Sequence, residues 1–265
     1  MSSLARHNVV VFGPADAQPM IFAHGFGCDQ NMWRFMWPEF AESYRVILFD
    51  HAGLGGASAD SYDCERHSSL DGYAQDVLEI CEDLALHEVI FVGHSVSAMI
   101  GALAAIRAPS RVAKLVLIGP SPRYLDDDGY RGGFSQDDIE GLLESLASNY
   151  LGWSSQMAPV IIGNPDRPEL GEELTNSFCR ANPEVAERFA RITFLSDNRE
   201  DLERVRLPCL VLQCSDDVIA PAAVGQYVHE HLPDSQLVLM RATGHCPNLS
   251  APEETTEAIR AFLSQ

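Results

Sequence analysis

The sequence predicts an α/β fold with a mostly parallel central sheet, helices on both faces and one helical lid insertion. Six short runs alternate with longer helical stretches, and each run is nearly continuous in apolar residues. Such runs are typical of central strands that are covered on both faces. The alternation is interrupted once, by a long stretch that carries helical signals only. Apolar residues make up 46% of the 265 residues and charged residues 21%, so the chain can bury a large core.

The predicted strands are short and are separated by segments long enough for crossover helices. A series of this kind favours parallel neighbours joined by right-handed connections. The predicted strands cover residues 20–23, 45–49, 89–92, 114–118, 209–213 and 236–240, and the clearest helices between them cover 69–84 and 95–106.

The interruption runs from about residue 122 to residue 197. Strand signals resume at residue 209, so we interpret this segment as an insertion into the α/β core rather than as a separate domain. Insertions at the carboxyl ends of strands lie over the ligand crevice of an open α/β sheet. We therefore expect a core made of residues 1–121 and 198–265, and a four-helix lid at 122–197 with helices near 135–150, 154–162, 167–180 and 183–195.

The charge and cysteine content exclude several classes of partner. Asp and Glu number 38 against 18 Lys and Arg, which gives a net charge of −20. Nucleic acid and an anionic membrane surface are therefore not expected as partners. The seven cysteines form no C-x-x-C pair and lack zinc-ligand spacing, which favours reduced thiols. With no apolar segment typical of a secretory signal and no run long enough to span a membrane, we expect a cytoplasmic location.

The strongest chemical signal is the stretch VGHSVSA, which begins at Val92, follows a predicted strand and opens a helix of small apolar residues. A strained strand–turn–helix of this kind exposes a serine hydroxyl above the sheet, so Ser95 is the candidate nucleophile. The G-x-S-x-G pattern is met except at its fifth place, where Ser97 replaces glycine. Serine is nearly as compact as glycine, so the close packing of the turn is retained.

Serine needs a base that is held by a third group, and in this architecture the acid and then the histidine follow the serine in the chain. Asp217 comes after the fifth predicted strand and is our candidate acid, with its neighbour Asp216 as the alternative. His245 lies in a glycine-bearing turn after the last strand and is the candidate base.

Acyl transfer also requires donors for the developing oxyanion. The N–H of Val96 is the first candidate, and the N–H of Phe26, in the His24–Gly27 loop after an early strand, is the second. The spacing of Gly25 and Gly27 does not match a dinucleotide fingerprint. Because the chain also lacks phosphate-loop, metal-box and flavin motifs, we expect a reaction that uses no cofactor and no metal.

The predicted lid is rich in bulky apolar side chains, which together favour a mostly apolar pocket over Ser95. The predicted pocket residues are Phe26, Tyr124, Phe134, Leu142, Trp153, Met157, Phe194 and Ile219.

Several stretches resemble one family along nearly the whole chain. They are HGFGCDQNMW from His24, FVGHSVSAMIGALAAIR from Phe91, GPSPRYLDD from Gly119, GGFSQDD from Gly132, NPDRPE from Asn164, FLSDNREDL from Phe194, LQCSDDVIAP from Leu212 and ATGHCPNLSAPEET from Ala242. The sequence is similar to serine α/β-hydrolases of the group that contains the plant strigolactone and karrikin receptors and the bacterial stress regulator RsbQ. The NPDRPE, SDNREDL and GHCP stretches are most similar to the RsbQ branch.

This resemblance implies an α/β-hydrolase fold with the Ser95, Asp217 and His245 triad, the Phe26 and Val96 oxyanion donors and a four-helix lid. It also implies a PAS-domain phosphatase as a possible partner, because RsbQ works with one to activate a stress sigma factor. Plant members bind butenolide lactones, but Met157 stands where an aromatic residue is common in those receptors.

The sequence therefore predicts a serine hydrolase that acts on a small apolar ester or lactone as part of a stress-signalling pathway. Two alternatives stay open. One is a stand-alone carboxylesterase or lactonase, and the other is a ligand receptor with slow turnover.

Overall fold

A single seven-stranded sheet forms the centre of the protein in the computed structural model, which describes residues 2–265. The strand order is β1-β3-β2-β4-β5-β6-β7. Strand β1 pairs antiparallel with β3 and all other neighbours are parallel, as the sequence predicts. The strands are β1 (Val10–Phe12), β2 (Pro19–Ala23), β3 (Arg45–Leu48), β4 (Val89–His94), β5 (Val112–Ile118), β6 (Cys209–Asp216) and β7 (Ser235–Thr243).

Strand β1 is the one strand that the sequence pattern misses. It has only three residues, lies at the sheet edge and is largely exposed, so it carries no buried apolar run. Strands β6 and β7 extend past their apolar runs, to Asp216 and Thr243, and the pairing register shifts between Cys214 and Asp216. These extensions carry the chain to the edge of the sheet where the candidate acid and base lie.

Helices cover both faces of the sheet. Side chains that alternate along β2, such as Ile21 and Phe22, enter two different apolar clusters, one under α2 and α3 and the other under α11. This explains why the predicted strands are continuous in apolar residues. The helices are α1 (Ser3–Arg6), α2 (Leu70–Asp83), α3 (Val96–Arg107), α4 (Gln136–Ser148), α5 (Tyr150–Ile162), α6 (Pro168–Arg180), α7 (Pro183–Leu195), α8 (Arg199–Leu202), α9 (Ala222–His231), α10 (Pro247–Ser250) and α11 (Pro252–Leu263).

Helices α4 to α7 lie within residues 122–197, the segment called the lid below, and pack around a third apolar cluster. Helix α5 begins four residues earlier than the sequence pattern indicates, because the Asn149 side chain caps it by accepting a hydrogen bond from the Gly152 N–H at 3.0 Å. The two ends of the lid meet, since the Asn198 N–H donates to the Pro122 carbonyl at 2.7 Å. Arg123 and Asp197 form an ion pair at the same place.

Within residues 2–265, no helix is both long enough and apolar enough to cross a membrane. Each of the seven cysteines has a free thiol.

Candidate active site

Ser95 lies at a sharp turn between a strand and a helix. Strand β4 ends at His94, helix α3 begins at Val96, and Ser95 between them has φ of +58° and ψ of −124°. A non-glycine residue with positive φ is strained, and such strain is typical of functional turns. A Cβ on Gly93 would overlap the Ser97 carbonyl, so glycine is required for the turn to close. Ser95 thus lies at a strand–turn–helix elbow of the kind that the sequence pattern indicates.

Ser95, His245 and Asp217 form a continuous hydrogen-bonded chain. The Nε2 atom of His245 lies 2.8 Å from the Ser95 Oγ, and its Nδ1 atom lies 2.8 Å from an Asp217 carboxylate oxygen. The other Asp217 oxygen accepts hydrogen bonds from the Ile219 and Ala220 N–H groups at 2.8 and 3.1 Å. All three side chains are buried.

The negative charge of Asp217 determines which atoms of these three hydrogen-bonded side chains carry protons. Burial by itself raises the pKa of Asp217, but attraction to His245 and the hydrogen bonds from His245, Ala220 and Ile219 outweigh it, and the pKa is lowered. Asp217 is therefore an ionised acceptor, so the Nδ1 of His245 carries the proton. This leaves the Nε2 lone pair free to accept the Ser95 hydroxyl proton.

The structure discriminates between the two neighbouring acids. Asp216 is the last residue of β6, pairs with Thr243 in the sheet and has an exposed side chain. Asp217 lies past the strand end and turns its side chain toward His245. Only the second of these neighbours is in contact with the candidate base.

The loop that carries His245 is held from below by His94. The Nε2 of His94 lies 2.7 Å from the His245 carbonyl oxygen. Burial, followed by repulsion from His245, lowers the pKa of His94 to about 3, so this ring is neutral and donates from Nε2.

Asp50 also lies near a strand end, but its side chain stabilises loops and is not part of the triad. Its carboxylate accepts hydrogen bonds from the Gln30 and Gly56 N–H groups at 2.8 and 2.9 Å.

The two predicted oxyanion donors belong to segments that lie next to Ser95. Val96 occupies the first position of α3, where a helical N–H has no partner inside the helix. The loop that carries Phe26 passes close to the nucleophile, since a Cβ on Gly25 would lie 3.1 Å from the Ser95 Cβ and 2.7 Å from the His94 Nδ1. Glycine at position 25 therefore allows this approach.

A mostly apolar cavity opens above Ser95 between the core and the lid. It is lined by every predicted pocket residue except Phe134. Contrary to the prediction, Phe134 is not among the residues that line the cavity, and its ring packs edge-on against Phe194 at a centroid distance of 6.4 Å. The lining residues are Phe26, Cys28, His94, Ser95, Tyr124, Leu142, Trp153, Met157, Ile161, Leu174, Phe178, Thr193, Phe194, Ile219, His245 and Cys246.

Sequence reasoning missed the part of the lining that comes from helix α6. Leu174 and Phe178 are one helical turn apart and both face the cavity. Their spacing marks an apolar stripe, but the stripe alone does not say whether it faces a ligand or a neighbouring helix. The thiols of Cys28 and Cys246 also line the cavity, and burial raises the pKa of both, so they stay protonated.

Few of the residues that line the cavity carry polar groups. The Tyr124 hydroxyl is 3.5 Å from the Ser95 Oγ, and burial raises the pKa of Tyr124 above its ordinary value. Tyr124 is therefore a neutral hydrogen-bond donor beside the reacting serine. Within residues 2–265, no group of three or more His, Cys, Asp or Glu side chains is arranged to hold a metal ion.

A mostly parallel sheet of this order, with a serine on the elbow after β4 and a buried histidine and aspartate beside it, defines a serine hydrolase. Relatives of the chain place it with hydrolases of the esterase or lactonase type. The chain belongs to the alpha/beta hydrolase family, whose profile matches residues 20–258. The predicted α/β-hydrolase fold is confirmed.

Known proteins similar to this chain include both esterases and receptors. The chain is 39% identical over 257 residues to the strigolactone esterase D14 of Arabidopsis thaliana, covering 97% of this chain and 96% of that protein. It is 40% identical over 248 residues to the karrikin insensitive 2 receptor CA of Petunia hybrida, covering 93% and 92%. A solved hydrolase structure from Oleispira antarctica has a TM-score of 0.96 at 40% identity, covering 99% and 96%.

Proposed function

We propose that this protein hydrolyses a small, mostly apolar ester or lactone, with Ser95 as nucleophile, His245 as base and Asp217 as the acid that orients the base. The observation that carries this proposal is the chain of two 2.8 Å hydrogen bonds from Asp217 through His245 to Ser95 at the floor of an apolar cavity. Serine becomes a competent nucleophile when a positioned imidazole takes its proton.

In the acylation step the Ser95 Oγ forms a bond to the substrate carbonyl carbon while its proton passes to the His245 Nε2. The carbonyl electron pair moves onto oxygen, and the N–H groups of Phe26 and Val96 stabilise the resulting negative charge. Asp217 stabilises the imidazolium. When the tetrahedral intermediate collapses, the alcohol oxygen takes the proton from His245 and leaves. If the substrate is a lactone, this alcohol remains attached to the acyl group.

In the second step water attacks the acyl-enzyme and loses its proton to His245, and Ser95 leaves with that proton. The aromatic and aliphatic walls of the cavity favour an acyl group without charge, because a buried charge would lose its hydration without gaining a partner. Polar substrate atoms are best satisfied close to Ser95, where the Tyr124 hydroxyl lies.

A fluorophosphonate probe tests the assignment of the nucleophile. We expect rapid covalent labelling, with the adduct mapped by mass spectrometry to Ser95, and hydrolysis of short p-nitrophenyl esters that is lost with the label in Ser95→Ala. A decrease of roughly 10⁴–10⁶ in kcat is expected for this variant. An adduct at another residue, or full turnover by Ser95→Ala, would overturn the proposal.

A role as an RsbQ-like stress regulator in the cytoplasm, with a PAS-domain phosphatase as partner, is the finer proposal. It is supported by the NPDRPE, SDNREDL and GHCP stretches, and by the similarity of the chain to receptors as well as to esterases. Helix α4 offers a free acidic surface, because Asp137 and Glu144 are exposed. We expect Asp137→Lys with Glu144→Lys to keep ester hydrolysis but to lose binding to a purified PAS-domain phosphatase encoded in the same genome. If the wild-type protein fails to bind any such phosphatase, the regulator role is excluded and the stand-alone hydrolase remains.

A further inference from the structure

A buried polar cluster outside the triad connects the two candidate oxyanion donors. We propose that Ser97 and His51 are positioning residues that, through His24, hold the N–H groups of Val96 and Phe26 at the separation the oxyanion requires. This inference rests on the proposed hydrolase function. It adds a role for the serine that replaces glycine in the fifth place of the elbow motif.

The proton directions in the cluster follow from its distances. The Ser97 Oγ lies 2.5 Å from the His24 carbonyl oxygen and 2.7 Å from the His51 Nε2. A carbonyl oxygen can only accept, so the one hydroxyl proton of Ser97 is donated to His24. The His51 Nε2 must then carry a proton and donate to the Ser97 Oγ. All three side chains are buried.

The charge state of His51 agrees with this assignment. Burial, followed by repulsion from His24 and His7, lowers the pKa of His51 well below its ordinary value, so the ring is neutral. With the proton on Nε2, the Nδ1 atom is a bare acceptor, and that atom is buried without a partner. Hydrogen bonds in the cluster are therefore donated in one direction, from His51 to Ser97 and from Ser97 to the His24 carbonyl oxygen.

The His24 side chain sets the orientation of the next peptide. The His51 backbone N–H donates to the His24 Nε2 at 3.1 Å, so the His24 proton is on Nδ1. That Nδ1 lies 2.9 Å from the Gly25 carbonyl oxygen and donates to it. The Gly25 carbonyl and the Phe26 N–H belong to one planar trans peptide, in which the two groups point in opposite directions. Holding the carbonyl therefore holds the direction of the Phe26 N–H.

The Ser97 hydroxyl joins this loop to the helix that carries the other donor. Ser97 is the residue after Val96 in helix α3, and His24 is two residues before Phe26. A glycine or alanine at position 97 would remove the bridge between helix α3 and the His24 carbonyl. The His51 Nε2 lies 3.2 Å from that carbonyl oxygen and could donate to it directly, but this bond would not reach helix α3. The two donor segments would then be held together only by the remaining packing.

Ser97→Ala tests the inference, because it removes the hydroxyl and keeps the Cβ. We expect kcat for p-nitrophenyl butyrate to decrease about 10- to 100-fold with little change in KM. The oxyanion donors stabilise negative charge that develops mainly in the transition state, so their displacement affects kcat more than substrate binding. Inhibition by a boronic acid, whose serine adduct places an oxygen at the oxyanion position, should weaken by a similar factor. Binding of a non-hydrolysable ether of the same shape should stay within about twofold.

Ser61→Ala is the matched control. Ser61 is also a buried serine. Its hydroxyl donates to the Ser58 carbonyl oxygen at 2.5 Å and accepts a hydrogen bond from the Gly53 N–H at 3.0 Å. It does not line the cavity and is not part of the triad. We expect Ser61→Ala to leave kcat and boronic acid inhibition unchanged.

If Ser97→Ala does not fold, the variants His51→Phe and His51→Gln test whether the cluster positions the oxyanion donors. Phenylalanine fits among the rings of Phe49, Tyr73 and Phe189 but cannot donate, whereas a glutamine amide can donate to the Ser97 Oγ. We expect the loss in kcat for His51→Phe and recovery for His51→Gln. Folded variants with wild-type kcat and wild-type boronic acid inhibition would overturn the inference while wild-type turnover and Ser95 labelling leave the hydrolase intact. If the wild-type protein shows no turnover and no labelling, both proposals are wrong.

Discussion

The backbone N–H of His245 donates a hydrogen bond to the carbonyl oxygen of Ile161, 2.8 Å away in the last turn of lid helix α5. Ile161 also lines the cavity, as does Met157 one turn earlier in the same helix. The candidate base is thus attached to a lid helix that contacts the ligand space. A shift of α5 would move both the cavity wall and the loop that presents the imidazole.

Asn164 reinforces this attachment, and its removal gives the first prediction. Its Nδ2 donates to the Ile162 and Thr243 carbonyl oxygens at 2.6 and 3.1 Å, which ties the end of α5 to the strand before His245. We expect Asn164→Ala to decrease kcat by about 3- to 10-fold, because the loop is less well held, with a small change in KM. Steady-state kinetics measure this, and Asn176→Ala, at an exposed position of α6, is the control. Equal kcat in the two variants would contradict the coupling.

Gly244 is expected to be essential for the close approach of the His245 loop to the end of helix α5. It has φ of +80°, and a Cβ there would overlap the Ile162 carbonyl oxygen. We expect Gly244→Ala to lower the free energy of unfolding by about 2–4 kcal/mol, as backbone strain and overlap add. Gly129→Ala is the matched control, because Gly129 has φ of +74° and open space around its Cβ. We expect this control to cost only about 1 kcal/mol in urea denaturation. Equal losses would show that the overlap is relieved at no cost.

The neighbouring acids give a direct comparison. We expect Asp217→Asn to decrease kcat by about 10⁴. The amide oxygen would take the position that accepts from the Ile219 and Ala220 N–H groups, so the amide NH2 would face the His245 Nδ1 and hold the imidazole in the wrong tautomer. Asp216→Asn changes an exposed side chain and should keep kcat within about twofold. Ester hydrolysis by the two purified variants measures this. A larger loss in the Asp216 variant would reassign the acid.

The lining of the cavity predicts substrate preference. Phe194 lines the cavity, whereas Phe134 packs against Phe194 and is not part of the lining. We expect Phe194→Leu to change KM across a series of p-nitrophenyl esters by more than about threefold, and to shift the preferred acyl length, while Ser95 labelling is little affected. Phe134→Leu should leave the preference nearly unchanged. The reverse order of effects would show that Phe134 reaches the substrate.

Buried histidines predict how stability depends on pH. Burial is the largest cause that lowers the pKa of His7, His51 and His94, to about 3 in the last case. Each is neutral in the folded protein but binds a proton below about pH 6.5 when unfolded. The unfolded state therefore binds more protons as the pH falls from about 6.5 towards 3, and the folded state loses stability. Each histidine contributes up to about 1.4 kcal/mol per pH unit between about pH 6.5 and its own pKa in the folded protein.

Urea denaturation at pH 8, 7, 6 and 5 measures this effect. We expect the free energy of unfolding to be nearly constant above pH 7 and to fall steadily below about pH 6.5. His51→Gln removes one of the three groups and should make the fall in stability below pH 6.5 less steep. A stability that is the same at pH 7 and pH 5 would show that these rings are protonated in the folded protein as well.

The parallel core and the elbow at Ser95 could be assigned from the chain alone, because their signals are local. A strand buried on both faces must be apolar at nearly every position, and the turn requires small residues such as Gly93 around the serine. The order serine, acid, histidine likewise narrows the candidates to few positions. It does not separate Asp216 from Asp217, because their side chains part only where β6 ends beside Thr243.

Tertiary structure alone decided which side chains meet. Phe134 and Phe178 have the same chemistry, but only Phe178 lines the cavity. Phe178 lies on the inward stripe of helix α6, whereas Phe134 precedes helix α4 and packs against Phe194. The contact of Ser97 with His24 and His51 joins three segments that are distant in the chain, and the bond from His245 to Ile161 joins the lid to the core. Such contacts depend on how whole elements pack, and no local pattern of residues encodes that.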